Sequence, residues 1–266
     1  MDPQLDPRTR EFYRQAILIA RRSDAPFLVA GAYAMERYTG IARHTKDFDM
    51  FIHRRDLDRL FREFEAAGYR TELTFPHWLG KVYHEDAYID LIFSTGNGIG
   101  EVDDAWFEHA VAEEVLGMSV AICPAEEIIW SKAYVMERER FDGADVAHLL
   151  LARGESLDWP RLLRRFGPHW RLLLAHLVLF TFIYPGERSR IPARVMSDLL
   201  DRLQREGEQA GDNGERVCQG TLLSRAQYLV DLERGGYQDA RLKPRGNMDG
   251  GDIDRWTDAI AVDGPR

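Results

Sequence analysis

The tightest constraint in this chain is a short alternation, Asp47-Phe-Asp49-Met-Phe-Ile52, inside a strand predicted over Lys46 to His53. Side chains alternate across a strand, so Asp47 and Asp49 face one way while Phe48, Met50 and Ile52 face the other. Such a strand has to separate a hydrophobic layer from a polar cleft. Upstream, Ala25 to Gly31 reads as a short buried strand that stops at glycine, and Ala32 to Tyr38 reads as the helix that follows.

The rest of the first half continues in the same style. Arg8 to Arg22 is an amphipathic helix with Phe12, Ile17, Leu18 and Ala20 on its apolar side. Asp56 to Ala67 places Leu57, Leu60, Phe61 and Phe64 at helical spacing, with Gly68 where a helix would end. Strands are predicted over 69–74, 79–84 and 87–94, and a hairpin over 112–123 around Gly117. These elements predict an α+β fold, a mixed sheet with flanking helices, over residues 1–123. From Pro124 the pattern turns helical, with helices predicted over 124–140, 142–153, 158–166, 169–184 and 192–206, which makes 124–234 a helical C-terminal domain. Residues 235–266 hold six glycines and six aspartates with few large apolar groups, and predict a flexible tail.

Two like charges on one strand face repel unless a cation lies between them. Hard divalent cations such as Mg2+ take carboxylate oxygens and bridge to substrate phosphates. Asp90 interrupts the apolar strand Tyr88-Ile-Asp-Leu-Ile-Phe93, where an acid buries only at a cost, and is the candidate third ligand. Two acids on one strand, a third on a neighbour and a glycine turn upstream suit phosphoryl or nucleotidyl transfer, with two metal ions bridging attacking and leaving oxygens. The turn at Gly31 lets backbone N–H groups of the next helix approach phosphate oxygens.

Gly31-Ala32, then Arg43, Thr45 and Asp47-Phe-Asp49, and later Asp90, resemble the pattern of the DNA polymerase β-type nucleotidyltransferase superfamily. The Arg-x-Thr-Lys-Asp-x-Asp string is most similar to its small bacterial members, the antibiotic-modifying and abortive-infection toxin types. The resemblance spans roughly residues 25–155. It implies an enzyme in which Asp47, Asp49 and Asp90 ligate metal and Asp90 is also a candidate base. It further implies that Gly31, Ala32, Arg43, Thr45 and Lys46 contact the nucleotide, and that Mg2+ and a nucleoside triphosphate take part. Many members have Gly-Ser or Gly-Gly at the turn; Ala32 removes one hydroxyl contact, worth about 1 kcal/mol. The toxin-like members also carry a lysine and an Asp-x-x-Asp element, which places Lys132 on phosphate and makes Asp142 and Asp145 accessory residues or acceptor contacts. The competing reading of Asp142 and Asp145 is a helix capping box.

Charge narrows the partners. The net charge is −9, spread as +3 over residues 1–55, −14 over 56–160 and +2 over 161–266. That acidic middle disfavours long duplex DNA, which demands a broad positive surface. A small molecule, an RNA or a protein remains open as the acceptor. Arg161, Arg164, Arg165 and Arg171 form the dense basic cluster, which reads as a solvated face, as partners for the acidic segment or as an RNA surface. The longest nearly apolar run, Leu172 to Ile183, covers 12 residues, short of the ~20 that span a membrane, so it reads as a buried helix. Two cysteines, Cys123 and Cys218, and no visible secretory signal suit a cytoplasmic protein. The histidines show no metal-ligand spacing with cysteine, and Asp249-Gly-Gly-Asp-Ile-Asp254 lacks the closing glutamate of a calcium loop.

Overall fold

The Asp6 carboxylate accepts hydrogen bonds from the backbone N–H groups of Arg8 and Thr9, at 3.0 Å each, and Pro7 opens the first turn of helix α1 (Pro7–Arg22). The computed structural model describes residues 5–43, 45, 47–208, 216–242 and 248–262. The chain divides into two compact units, 1–124 with 246–256, and 125–245 with 257–266.

In the first unit, β1 (Phe27–Val29), β2 (Asp47–Ile52), β3 (Arg70–Phe75), β4 (Leu79–His84), β5 (Ala87–Ile92), β6 (Val111–Val115) and β7 (Met118–Ile122) form one sheet in the order β3-β4-β5-β2-β1-β7-β6. Strand β2 is antiparallel to β1 and parallel to β5. A parallel neighbour requires a crossover. Helix α3 (Leu57–Ala66) and the β3–β4 hairpin provide it. Phe48, Met50 and Ile52 are fully buried, as are Val82, Ile89 and Leu91 on the adjoining strands. Tyr13 of α1 stacks on Phe48 at 5.1 Å, and Leu57, Leu60 and Phe64 of α3 are also fully buried. Helix α2 (Gly31–Thr39) leaves the end of β1. The sheet and helices make an α+β fold.

A five-residue helix, α4 (Asp104–Glu108), was outside the sequence expectation; Asp103 accepts from the Ala105 backbone N–H and Trp106 is fully buried against Phe51. The expected flexible tail is also corrected. Residues Gly250–Val262 form helix α11, and its Trp256 meets Phe75 and Trp78 edge-on at 5.0 Å each. Asp249 Oδ1 accepts from the Asp252 backbone N–H at 2.8 Å, and Asp252 Oδ2 accepts from that of Asp249 at 3.2 Å. This reciprocal capping starts a helix where composition alone suggested none.

The second unit contains α5 (Ala125–Ala133), α6 (Gly143–Arg153), α7 (Trp159–Phe166), α8 (Trp170–Ile183), α9 (Ala193–Glu208) and α10 (Leu229–Glu233). A two-stranded pair joins β8 (Val217–Cys218) to β9 (Gln238–Asp239). Helix α5 ends at Ala133 rather than reaching Arg140. The following Glu137-Arg-Glu-Arg140 run has no apolar face to bury, and a Met136–Phe141 bridge with a Glu137 N–H to Arg140 C=O bond of 2.8 Å satisfies the backbone instead. By length and composition, Trp159–Ile183 is apolar enough to cross a membrane. Leu162, Phe166, Trp170, Leu173, Leu177 and Phe180 are nevertheless buried among the neighbouring helices, as in the core helix of a folded unit.

Candidate active site

The site grows from the register of two parallel strands. Asp49 of β2 lies directly opposite Asp90 of β5, and Asp47 opposite Tyr88. One carboxylate oxygen each from Asp47, Asp49 and Asp90 lies within 4.8 Å of the others. Side-chain alternation sends all three carboxylates to the face opposite Phe48 and Ile89. Three crowded acids on an ordered sheet are unfavourable by themselves, and their hard oxygen donors fit a divalent cation such as Mg2+.

Gly31 closes the site from the side. Its φ is +55°, and a Cβ added to it would stand 1.7 Å from Asp49 Oδ2 and 2.8 Å from Asp49 Cγ. Both the backbone conformation and the close approach therefore demand glycine here. The Ala30 backbone N–H donates to the Asp49 carbonyl at 2.9 Å, tying the turn to β2. The first turn of α2, with half-buried Ala32, thus begins beside the carboxylates.

Thr45 stands beside Asp47. Its Oγ1 donates to Asp47 Oδ1 and accepts from the Asp47 backbone N–H at 3.4 Å, so it orients Asp47. Arg43 is exposed on the loop that leads into β2. Lys46 lies outside the described residues.

Lys81 was missed by sequence reasoning. Its Nζ donates to Asp90 Oδ1 at 2.7 Å and lies 4.0 Å from the centroid of the Tyr88 ring. A signal was there to be counted: β4 and β5 are joined by the two-residue turn Glu85-Asp86, and stepping back three pairs from His84–Ala87 puts Lys81 opposite Asp90. Burial raises the Asp90 pKa above its ordinary value of 3.8, with the Lys81 ammonium opposing the rise and Asp47 adding to it. Burial, then the charges of Asp47, Asp90 and Asp49, push the Tyr88 hydroxyl up to about 12. The Tyr13 hydroxyl is raised as well, first by burial, then by Tyr33 and Asp47.

Three further candidates belong to the second unit, where they neutralise one another. Lys132 Nζ lies 2.8 Å from Asp142 Oδ2 and 2.7 Å from Asp145 Oδ2, and Arg140 binds Asp142 through two bonds of 2.9 Å. These cations hold the Asp142 carboxyl below its ordinary value despite burial. The Asp142 side chain makes no capping bond to α6, so the capping-box reading is corrected: the two cations claim its oxygens.

Arg161, Arg165 and Arg171 of the basic cluster are engaged by acids, and Arg164 is exposed. Arg161 is 7% exposed and pairs with Glu126 and Glu127; Arg165 also reaches Glu127 at 3.1 Å, and Arg171 binds Glu206. Of the histidines, His169 accepts or donates at Nδ1 with the Tyr134 hydroxyl at 2.7 Å, and His176 bonds the Ala133 carbonyl at 2.9 Å, both buried.

No protein-family model and no curated protein sequence matches the chain. Among solved structures it is similar to the antibiotic-resistance factor ANT(2'')-Ia, at 18% identity and TM-score 0.48, covering 65% of this chain and 98% of that one. It is also similar to the lincosamide antibiotic adenylyltransferase LnuA, at 15% identity and TM-score 0.38, covering 53% and 94%. JHP933 from Helicobacter pylori matches at 14% identity and TM-score 0.36, covering 77% and 97%.

Proposed function

We propose that this chain is a nucleotidyltransferase that uses Mg2+ and a nucleoside triphosphate and passes a nucleoside monophosphate to an acceptor hydroxyl. One observation carries the reading: Asp47, Asp49 and Asp90 converge within 4.8 Å beside a turn that only glycine can make. Neither feature serves the stability of a sheet, since the carboxylates repel and the turn is tight. Together they suit a triphosphate.

In this reading Asp47, Asp49 and Asp90 hold the divalent ions, which supply positive charge to the triphosphate when bound. Thr45 keeps Asp47 turned inward. The first N–H groups of α2, released from helical bonding at Gly31 and Ala32, face phosphate oxygens. Asp90, on the strand beside Asp49, is the residue that takes the proton of the acceptor hydroxyl. The hydroxyl oxygen forms a bond to the α-phosphorus, the bond from that phosphorus to the bridging oxygen breaks, and pyrophosphate leaves with the electron pair. Arg43, exposed on the loop entering β2, and Lys46 complete the nucleotide contacts. Lys132, Asp142 and Asp145 stay outside the chemistry because their charges satisfy one another.

The test is mass spectrometry of cell extract incubated with the protein, Mg2+ and triphosphates labelled at the α-phosphate. A transferred mass on an acceptor is expected, reduced by about 10²-fold or more in Asp47→Asn and Asp49→Asn. Equal transfer by all three proteins would overturn the reading.

A further inference from the structure

Lys81 supplies a positive charge to the carboxylate centre from a strand that contributes no ligand. It sits on β4 directly opposite Asp90, with its ammonium 2.7 Å from Asp90 Oδ1 and over the Tyr88 ring at 4.0 Å. Lys81 and Asp90 are 18% and 13% exposed at their side chains, so the pair is largely shielded from water. Such pairing has strict alternatives. A cation that takes the Asp90 carboxylate in full has to displace the ammonium, and an ammonium displaced within a low-dielectric site needs another anion.

We infer that Lys81 is a positioning residue that competes with the divalent ion for Asp90, so that the ion binds firmly only together with an anionic ligand, a triphosphate, that receives the displaced ammonium. The inference rests on the metal-centre reading above. It adds to that reading a coupling between ion and nucleotide that the three carboxylates alone do not provide. The alternative acid opposite Lys81 is Glu72 of β3, and it is held by Arg70 at 3.0 Å. Lys81 therefore has Asp90 as its anionic partner and the cleft as its other outlet.

The experiment measures Mn2+ binding by titration calorimetry and electron paramagnetic resonance, with and without the non-transferable α,β-methylene analogue of ATP. Wild type, Lys81→Met and Lys81→Arg are compared, and thermal melts verify folding. Without nucleotide, Lys81→Met is expected to bind Mn2+ about tenfold more tightly than wild type, and the gain in Mn2+ affinity on adding the analogue is expected to shrink by a similar factor. Lys81→Arg retains the weak ion binding and the coupling. A tighter ion site in Lys81→Met cannot come from damage to the fold, which only weakens binding. Equal Mn2+ affinity and equal coupling in wild type and Lys81→Met would overturn the inference while leaving the metal centre intact. Absence of Mn2+ binding in all three proteins would overturn the centre and the inference with it.

Discussion

Gly31 and Asp49 stand so close that a Cβ on the glycine would lie 1.7 Å from the aspartate Oδ2, and the glycine backbone is at φ +55°. Gly31→Ala meets both obstacles at once. Strained backbone of this kind costs about 1–3 kcal/mol, and relief of the clash requires Asp49 to turn away from Asp47 and Asp90. Expected are a lower unfolding midpoint and weaker Mn2+ binding, read by thermal melts and calorimetry. Unchanged ion affinity would show that the turn does not hold Asp49.

The protonation of Asp90 links the site to stability. Its folded pKa is raised above 3.8, mainly by burial, so its contribution is fully present below that value and lost as pH rises through the folded pKa. Asp142 works in the opposite sense: its folded pKa is lowered, and its contribution is present above 3.8 and lost as pH falls. In metal-free buffer, the midpoint of Asp90→Asn relative to wild type is therefore expected to climb as pH increases from just below 3.8 upward. Parallel melting curves for the two proteins across that window would contradict the shift.

Lys132 separates a structural charge from a substrate contact. Its removal leaves Asp142 and Asp145, both less than 10% exposed, without their shared ammonium. Lys132→Met is expected to cost about 3 kcal/mol of unfolding free energy, partly restored by adding Asp145→Asn, while the KM for the triphosphate stays unchanged. Denaturant unfolding and steady-state kinetics distinguish this from a phosphate contact, which would raise KM and leave stability nearly unaltered.

Trp256 anchors the first turns of α11 to the β3–β4 region through Phe75 and Trp78, and its ring covers Gly96. Trp256→Ala is expected to lose about 2 kcal/mol and much of the near-ultraviolet circular dichroism of that aromatic cluster. A spectrum identical to wild type would mean that the helix does not dock in solution.

The readable part of this molecule was the part governed by a period of two. Phe48, Met50 and Ile52 bury where the alternation put them, and Asp47, Asp49 and Asp90 share a face because parity and pairing act together. Lys81 escaped notice because its role depends on the hairpin register, which a scan of single segments does not count. Helix α4 is five residues long, too short to show a helical period. Helix α11 was masked by glycine and aspartate content, although Asp249 and Asp252 stand at capping distance and Ile253 and Trp256 follow at helical spacing. The arginines of α7 were legible as partners for the acidic segment, but which acids take Arg161 and Arg165 follows only from the packing of α5 on α7.

Strand β5 occupies the place between β2 and β4, yet leaves the ribosome after both. Until it emerges, one margin of β2 is an open ladder of backbone donors and acceptors on a nascent chain. Asp47 and Asp49 point from the face of β2 and not from that ladder, so the three-carboxylate centre comes together only when β5 pairs with both of its neighbours.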